Sequence, residues 1–367
     1  MILRILTLTL TILIVATSSL EVTISDGRVQ PSNRYVGTFT SQIQRNVIDA
    51  MFPSVKPNVA ESIVDSNVLR YLNLNGDYEA DVPLVIPSLF VLRLNGSIVD
   101  AANLTIRRDS SAVGLVFFNG SQYSSIQGGI VDATTHSTTQ VQAVSVLNGV
   151  RNSVRSVRAN SQFETAIGVR GGTQNEVAYC DAGGKANKMS PVRAIWTLAT
   201  SKAYVHHNHV HHSSSHALDF DAYTASSIAW ENLCEDNKDE GIFVEETAHD
   251  NVICMNTCRR NGNGIGVYSH TVGPVKSNVF FGNVVQNNTG NGITSGGMGH
   301  DRLNMLHSES NVFFENMAGG NNGNSGVEFN PLHGAVQQNY WFGTTLSRSL
   351  FSPQPQNISS NVTVFIS

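Results

Sequence analysis

The chain predicts an all-β fold, a right-handed, single-stranded parallel β-helix with an N-terminal cap, and three observations carry that prediction. A small residue opening an apolar strand recurs at Gly114, Ala143, Ala166, Ala194, Ala217, Gly241, Gly264 and Gly292, with a ninth at Gly326. From Ala143 the spacings are 23, 28, 23, 24, 23, 28 and 34 residues, the length of one solenoid coil with occasional insertions. Asparagines in apolar surroundings (Asn208, Asn232, Asn256, Asn283, Asn316) follow their openings at 14 to 24 residues. Stacked at a turn, such amides satisfy one another and the backbone from coil to coil. Finally, runs such as SNVFFGNVV and ESNVFFENM favour strands, and the Asn/Gly-rich joints between them favour tight turns over helix caps.

Taken in order, residues 1–19 carry one arginine, an apolar run and then small residues, the layout of a cleaved secretory signal. The mature chain then begins near Leu20. Residues 20–75 lack the period and are expected to cap the open end of the solenoid, with short helices over 42–52 and 60–72. The β-helix is expected over 76–345, and 346–367 as a C-terminal cover. Sequons at Asn95, Asn103, Asn119, Asn287, Asn357 and Asn361 fit a secreted glycoprotein.

Composition fits one stacked core: 41% of residues are hydrophobic and only 14% charged. A net charge of −5 leaves no basic footprint for nucleic acid. The expectation is a monomer, extracellular or bound to a cell wall, with no membrane association after signal cleavage and no organic cofactor. The four cysteines have no zinc-site spacing. Cys234 and Cys258 each stand two residues after a ladder asparagine, so they are expected to stack on adjacent coils, as a disulfide or as two small buried hydrophobes.

Strand alternation picks out the side chains available for chemistry. Counting each opening as position one, positions two and four are apolar and point inward; positions three and five point out. Position five then carries Arg170, Asp221, Glu245 and Tyr268, and position three carries Trp196, Asp219 and Phe243. Three carboxylates that close repel one another unless a cation or a shared proton compensates. Asp219, Asp221 and Glu245 are therefore expected to hold calcium, or to do acid/base work in a carbohydrate groove with the aromatics as sugar platforms. His216, just before Ala217, and His270, two residues beyond Tyr268, lie near this groove. The run YVHHNHVHHSSSH is expected to place His206 inward and His207, His209 and His211 outward, facing Glu231 and Glu235; a metal there is the less favoured reading.

The coil pair HALDFDAYTASSIAWENLCEDNKDEGIFVEE resembles the catalytic coils of mannuronan C-5-epimerases and their lyase relatives, within the pectin-lyase-like superfamily. In that family a Tyr-Gly-Phe-Asp-Pro-His motif lies one coil before a Gly-Phe-Val-x-Asp strand. Phe220 and Asp221 match the first and Gly241 to Glu245 the second, with Glu for Asp; Leu218, Ala222 and Tyr223 replace the tyrosine, proline and histidine. The resemblance implies an anionic, uronic-acid polysaccharide as partner and C-5 proton abstraction, leading to elimination or epimerisation. Asp221 and Glu245 would manage the substrate carboxylate, Tyr223, Tyr268, His216 and His270 are the acid and base candidates, and Arg170 would bind a neighbouring uronate. Two alternatives stand beside this: a glycoside hydrolase using Asp221 and Glu245 as paired carboxylates, and a non-catalytic polysaccharide-binding β-helix.

Overall fold

The computed structural model describes residues 20–25, 37–39, 69–102, 104, 113–135, 141–162, 164–184, 191–269, 273–295 and 308–321, with short strands at 327–328, 340–342 and 345–346. All regular elements among these residues are β-strands, and every strand pair is parallel, giving a β-solenoid. None of them is a helix long and apolar enough to cross a membrane.

One face of each coil contributes to a ten-stranded sheet. Its register lines up Val116, Val144, Ile167, Ile195, Leu218, Ile242, Ile265 and Ile293 in a single column. All are fully buried. From Ile167 to Ile293 this is the internal stack that inward second positions predict, because apolar side chains on successive strands pack at the inter-strand spacing of about 4.8 Å; at the first coil the prediction is off by one, since Gly114 pairs with Gln142 and Val116, not Leu115, joins the column. A second column, Val205, Ala229, Ile253, Phe280 and Phe313, fills the opposite side of the core. There the rings of Phe280 and Phe313 stack at 4.8 Å.

The remaining two faces of the coil form one merged sheet, since Arg70–Ala80 and Phe90–Asp100 run straight through both of them. From the next coil on, the strand is broken. Gly128 and Gly129 do this first (φ 75° and 74°), and Ser156, Tyr179, His207, Glu231, Met255, Gly282 and Glu315 repeat the left-handed turn. A non-glycine residue pays roughly 1–2 kcal/mol for that conformation, so something must hold it. At most of these corners the next residue is a ladder asparagine. The Oδ1 of Asn232 accepts from both the backbone and side-chain N–H of Asn208, and the Nδ2 of Asn232 donates to Val205 and to Asn256. The same pattern continues through Asn283 to Asn316.

The sequence showed one ladder; the structure has three. Asn237, Asn261, Asn288 and Asn321 form a second, and Asn251, Asn278 and Asn311 a third. Each follows a left-handed residue such as Asp236, Arg260, Asp250 or Ser277, so the same repair recurs at three places around the coil.

One expectation is corrected and one open alternative is decided. The segment 20–75 already contributes sheet: Leu20–Ser25 and Gly37–Phe39 pair with Arg70–Ala80, and Arg70 to Leu72 are strand rather than helix. Leu72 and Leu74 alternate inward with full burial, so period two outweighs the helical pattern at Arg70 to Leu72. The stretches 42–52 and 60–68, like 1–19 and 347–367, lie outside the described residues. Cys234 and Cys258 do stack in register, as free thiols inside the core.

Candidate functional site

The outer surface of the ten-stranded sheet carries the acidic cluster, and its geometry follows from how each coil enters the strand. Strict alternation would turn the small openings outward, yet Ala143, Ala166, Ala194 and Ala217 belong to the core. Alternation slips at the opening, where the register skips Ala166 with Ala194 and Gly241 with Gly264, so the residue just before it lies on the outer side. That earlier position forms a column of polar side chains: Gln142, Thr165, Arg193, His216, Glu240 and Asn263. Its register is fixed by pairs such as Thr165 with Arg193 and Glu240 with Asn263.

Arg193 is the residue the sequence reading missed, and it organises the site. Its guanidinium forms a very close hydrogen-bonded ion pair with Asp219. It also lies 3.9 Å from Asp221 and 3.7 Å from Glu245. One oxygen from each of the three carboxyls falls within 4.8 Å of the others. The expected cluster therefore exists, and a cation already sits in it. The signal was the polar column itself, which repeats in phase with the openings.

Asp219 is completely buried, and its Oδ1 has no hydrogen-bond partner. Burial pushes its carboxyl up to about 6, against the pull of Arg193 and His216. Glu245 goes further: burial first, then the charges of Asp219 and Asp221, raise it to about 10 despite Arg193. Glu245 thus holds a proton at neutral pH. Burial works against the charge of Arg193, but the three acids outweigh it and raise its pKa.

Asp221 accepts from the indole N–H of Trp196 at 2.9 Å and from the backbone N–H of Ala222 at 2.6 Å. Arg193 and Arg170 lie over the Trp196 ring at 5.1 and 5.8 Å. Trp196 and Phe243 were expected as exposed sugar platforms, and both are buried. Phe243 packs between His216 and Tyr268, with ring centroids at 4.4 and 4.6 Å. Their role is to shape the cluster from within the outer layer.

A second charged chain adjoins the first. His216 Nδ1 lies 2.7 Å from Glu240 Oε2, an ionic approach without hydrogen-bond alignment, and the Tyr268 hydroxyl donates to Glu240 Oε1 at 2.7 Å. Tyr268 reaches back this far only because Gly266 leaves room: a Cβ there would stand 2.9 Å from both the Tyr268 ring and Glu240 Cγ. Burial lowers the His216 imidazole, but Glu240 and Asp219 more than offset it, so His216 stands above its ordinary value. Burial and Glu240 push the Tyr268 phenol well above the tyrosine range, which unsuits it as a base. Burial likewise pushes Glu240 up, yet His216 and the Tyr268 hydroxyl hold it below the usual carboxylate value.

Tyr223 does not join them as parity suggested. The strand ends at Phe220, and the Thr224 N–H closes a turn on the Asp221 carbonyl. Tyr223 sits in that turn at φ 60° with 59% of its surface exposed, so alternation no longer sets its direction. His270 lies outside the described residues, as do the insertions 185–190 and 296–307.

The pH dependence of stability follows from the raised acids. Glu245 binds its proton more tightly in the folded than in the unfolded chain, where a glutamate titrates near 4.3. Its contribution is complete below that value and is lost as pH rises toward about 10. Asp219 adds the same sign between its unfolded value and about 6. The melting temperature is expected to fall from pH 5 to pH 9, and Glu245→Gln, which removes the titration, should flatten the decline. An equally steep decline in that variant would assign it to other groups.

On the second face, the histidine run is corrected at one point. His206 faces outward, stacked on Trp230 at 3.9 Å with Nε2 3.0 Å from Glu176, while Val205 takes the inward place. The left-handed His207 resets the alternation. His207 pairs with Glu231 and His209 with Glu235, on the face expected for them.

Residues 142–301 match the family model described as a right handed beta helix region. No curated protein matches the chain significantly. Among solved structures it is similar to the Dettilon tailspike protein (15% identity, TM-score 0.58, covering 82% of this chain and 59% of that one). It is also similar to a double mutant of the tailspike protein of E. coli bacteriophage HK620 in complex with pentasaccharide (12%, 0.56, 89% and 62%). A mutant of the periplasmic alginate epimerase AlgG aligns at 10% identity and TM-score 0.52, covering 76% of each chain. The chain spans about three fifths of the two tailspike chains. Three distant proteins thus share its coil geometry, and the chain is a right-handed parallel β-helix protein.

Proposed function

We propose that this is an extracellular carbohydrate-active enzyme that cleaves an acidic polysaccharide at Asp221 and Glu245. The observation that carries the reading is the pairing itself: two carboxyls on adjacent coils, within 4.8 Å, with Glu245 holding its proton up to about 10. A buried acid that keeps its proton suits donation to a leaving oxygen, with a neighbouring carboxyl on the other side of the bond. Glu245 is the proton donor to the glycosidic oxygen, and Asp221, fixed by Trp196 and Ala222, faces the anomeric carbon. The separation is shorter than the roughly 6.5–9.5 Å of inverting pairs, which favours a covalent glycosyl intermediate and retained configuration. Arg193 and Asp219 position the pair and balance its charge. Half-buried Arg170, one coil before Trp196, offers a cation to an acidic sugar. The tailspike in complex with pentasaccharide and the alginate epimerase are proteins of this fold with carbohydrate ligands or activity, which supports the substrate class.

C-5 proton abstraction from a uronate is the second reading. It is favoured by His216, whose raised pKa suits an acid at the leaving oxygen. It lacks an apparent base among the described candidates, since Tyr268 is raised and Tyr223 stands in an exposed turn.

The experiment is a panel of uronans and neutral glycans assayed both for new reducing ends and for ultraviolet-absorbing unsaturated ends. Hydrolysis gives the first alone. Glu245→Gln should cut turnover by about 10²–10⁴-fold, the scale of a lost proton donor, while retaining binding. Unsaturated ends would move the assignment to elimination, and retention of a glycan without turnover would identify a binding protein.

A further inference from the structure

We propose that Asp181, His209 and His211 form a binding site for a divalent transition-metal ion, on a face of the solenoid separate from the acidic cluster. Asp181–Gly183 and His209–His211 are paired strands of adjacent coils, and Glu235 stands beside His211 on the next. One ligand atom from each of the three residues lies within 4.8 Å of the others. His211 Nε2 is 2.5 Å from Asp181 Oδ1, and His209 Nδ1 is 3.7 Å from the same oxygen. Ligands at about 2.0–2.2 Å around a tetrahedral ion stand roughly 3.3 Å from one another, between these two distances. The two rings lie 4.6 Å apart, so small side-chain rotations bring the donors to one point.

Flat-strand histidines two residues apart diverge, which argues against a site built from the run alone. Asp181 changes this, because the neighbouring coil supplies a third donor between them.

The tautomers are also prepared. Glu235 Oε1 lies 3.0 Å from His209 Nε2, and Arg259 and Arg260 hold its other oxygen at 2.7 and 2.8 Å. A carboxylate can only accept, so Nε2 of a neutral His209 carries the proton and Nδ1 turns a lone pair toward Asp181. Two acceptors facing each other at 3.7 Å are bridged naturally by a cation. The carboxylate, histidine and metal then form the chain that orients histidine ligands in metal sites. His211 Nδ1 lies 2.7 Å from His212 Nδ1. When Nε2 gives up its proton to bind metal, Nδ1–H can donate to His212. Two imidazoles and one carboxylate suit zinc and its first-row neighbours over calcium, with a fourth position open to water.

The test is titration of the full chain with Zn²⁺ alone by calorimetry, and with Co²⁺ read from its visible absorption. One saturable ion per chain is expected, with a cobalt spectrum of imidazole ligation. His209→Gln and Asp181→Asn should each abolish the saturable step, and Glu235→Gln should weaken it by about tenfold to a hundredfold. His207→Gln, on the same run but outside the set, should leave it intact. Metal-free melting of all variants must match the parent, which separates lost ligands from lost fold. Absence of saturable binding by the parent chain, or binding that survives His209→Gln and fails in His207→Gln, overturns the proposal.

Discussion

Leu218→Asp is expected to leave the chain unfolded, not merely inactive. Leu218 is fully buried between Ile195 and Ile242 in the continuous core column. Losing the leucine forfeits about 2–3 kcal/mol of burial. The carboxylate that replaces it, with apolar stacks on both sides, costs several kcal/mol more. Together these rival the whole stability of an ordinary domain, about 5–15 kcal/mol. In a solenoid the damage also spreads, because each coil is stabilised chiefly by its neighbours. Circular dichroism and limited proteolysis check this. Leu218→Ala, at about 2–5 kcal/mol, should fold with a lowered melting temperature, and a normal melt of Leu218→Asp would refute the internal stack.

Arg193→Met should give the second largest effect. It keeps most of the side chain's volume and removes the charge that faces Asp219, Asp221 and Glu245. Breaking a buried pair from one side costs about 3–5 kcal/mol, because the other charge stays behind. Asp219, with no exposed surface, has no water to turn to. Urea unfolding at neutral pH should show this loss, shrinking at acid pH as the carboxyls take up protons. The variant also distinguishes the two ways of balancing the cluster. We propose that in the parent chain Arg193 fills the role expected of calcium, so neither calcium nor a chelator should shift its melting. In Arg193→Met the three acids would need another cation, and calcium, which prefers hard oxygen donors, should become stabilising. Calcium-dependent melting of the parent chain would restore the metal to the site.

The side chains that the resemblance marks for proton transfer are arranged differently from what it implied. Phe220 and Asp221 and the strand Gly241 to Glu245 do lie on adjacent coils, as the matched motifs require. Tyr223, at the family's histidine position, is in a left-handed turn instead, and Glu240, which no motif marked, joins His216 to Tyr268.

The sequence alone determined the coil period, the parallel pairing, the column from Ile167 to Ile293 and one asparagine ladder. These are repeated features, and repetition makes the register readable: a side chain in a solenoid has the same neighbours one period before and after it. It also placed Asp219, Asp221 and Glu245 on one face. Tertiary structure decided what lies between the repeats. The slip of alternation at each opening turns Arg193 and Glu240 outward, and the left-handed corners at His207 and Tyr223 reset alternation. Phe243 is covered by the rings of His216 and Tyr268 from adjoining coils, and Trp196 by the guanidiniums of Arg170 and Arg193. Period and polarity are properties of the chain, but the direction of a side chain beyond a bend, and the charge that meets it there, depend on backbone angles that alternation does not encode.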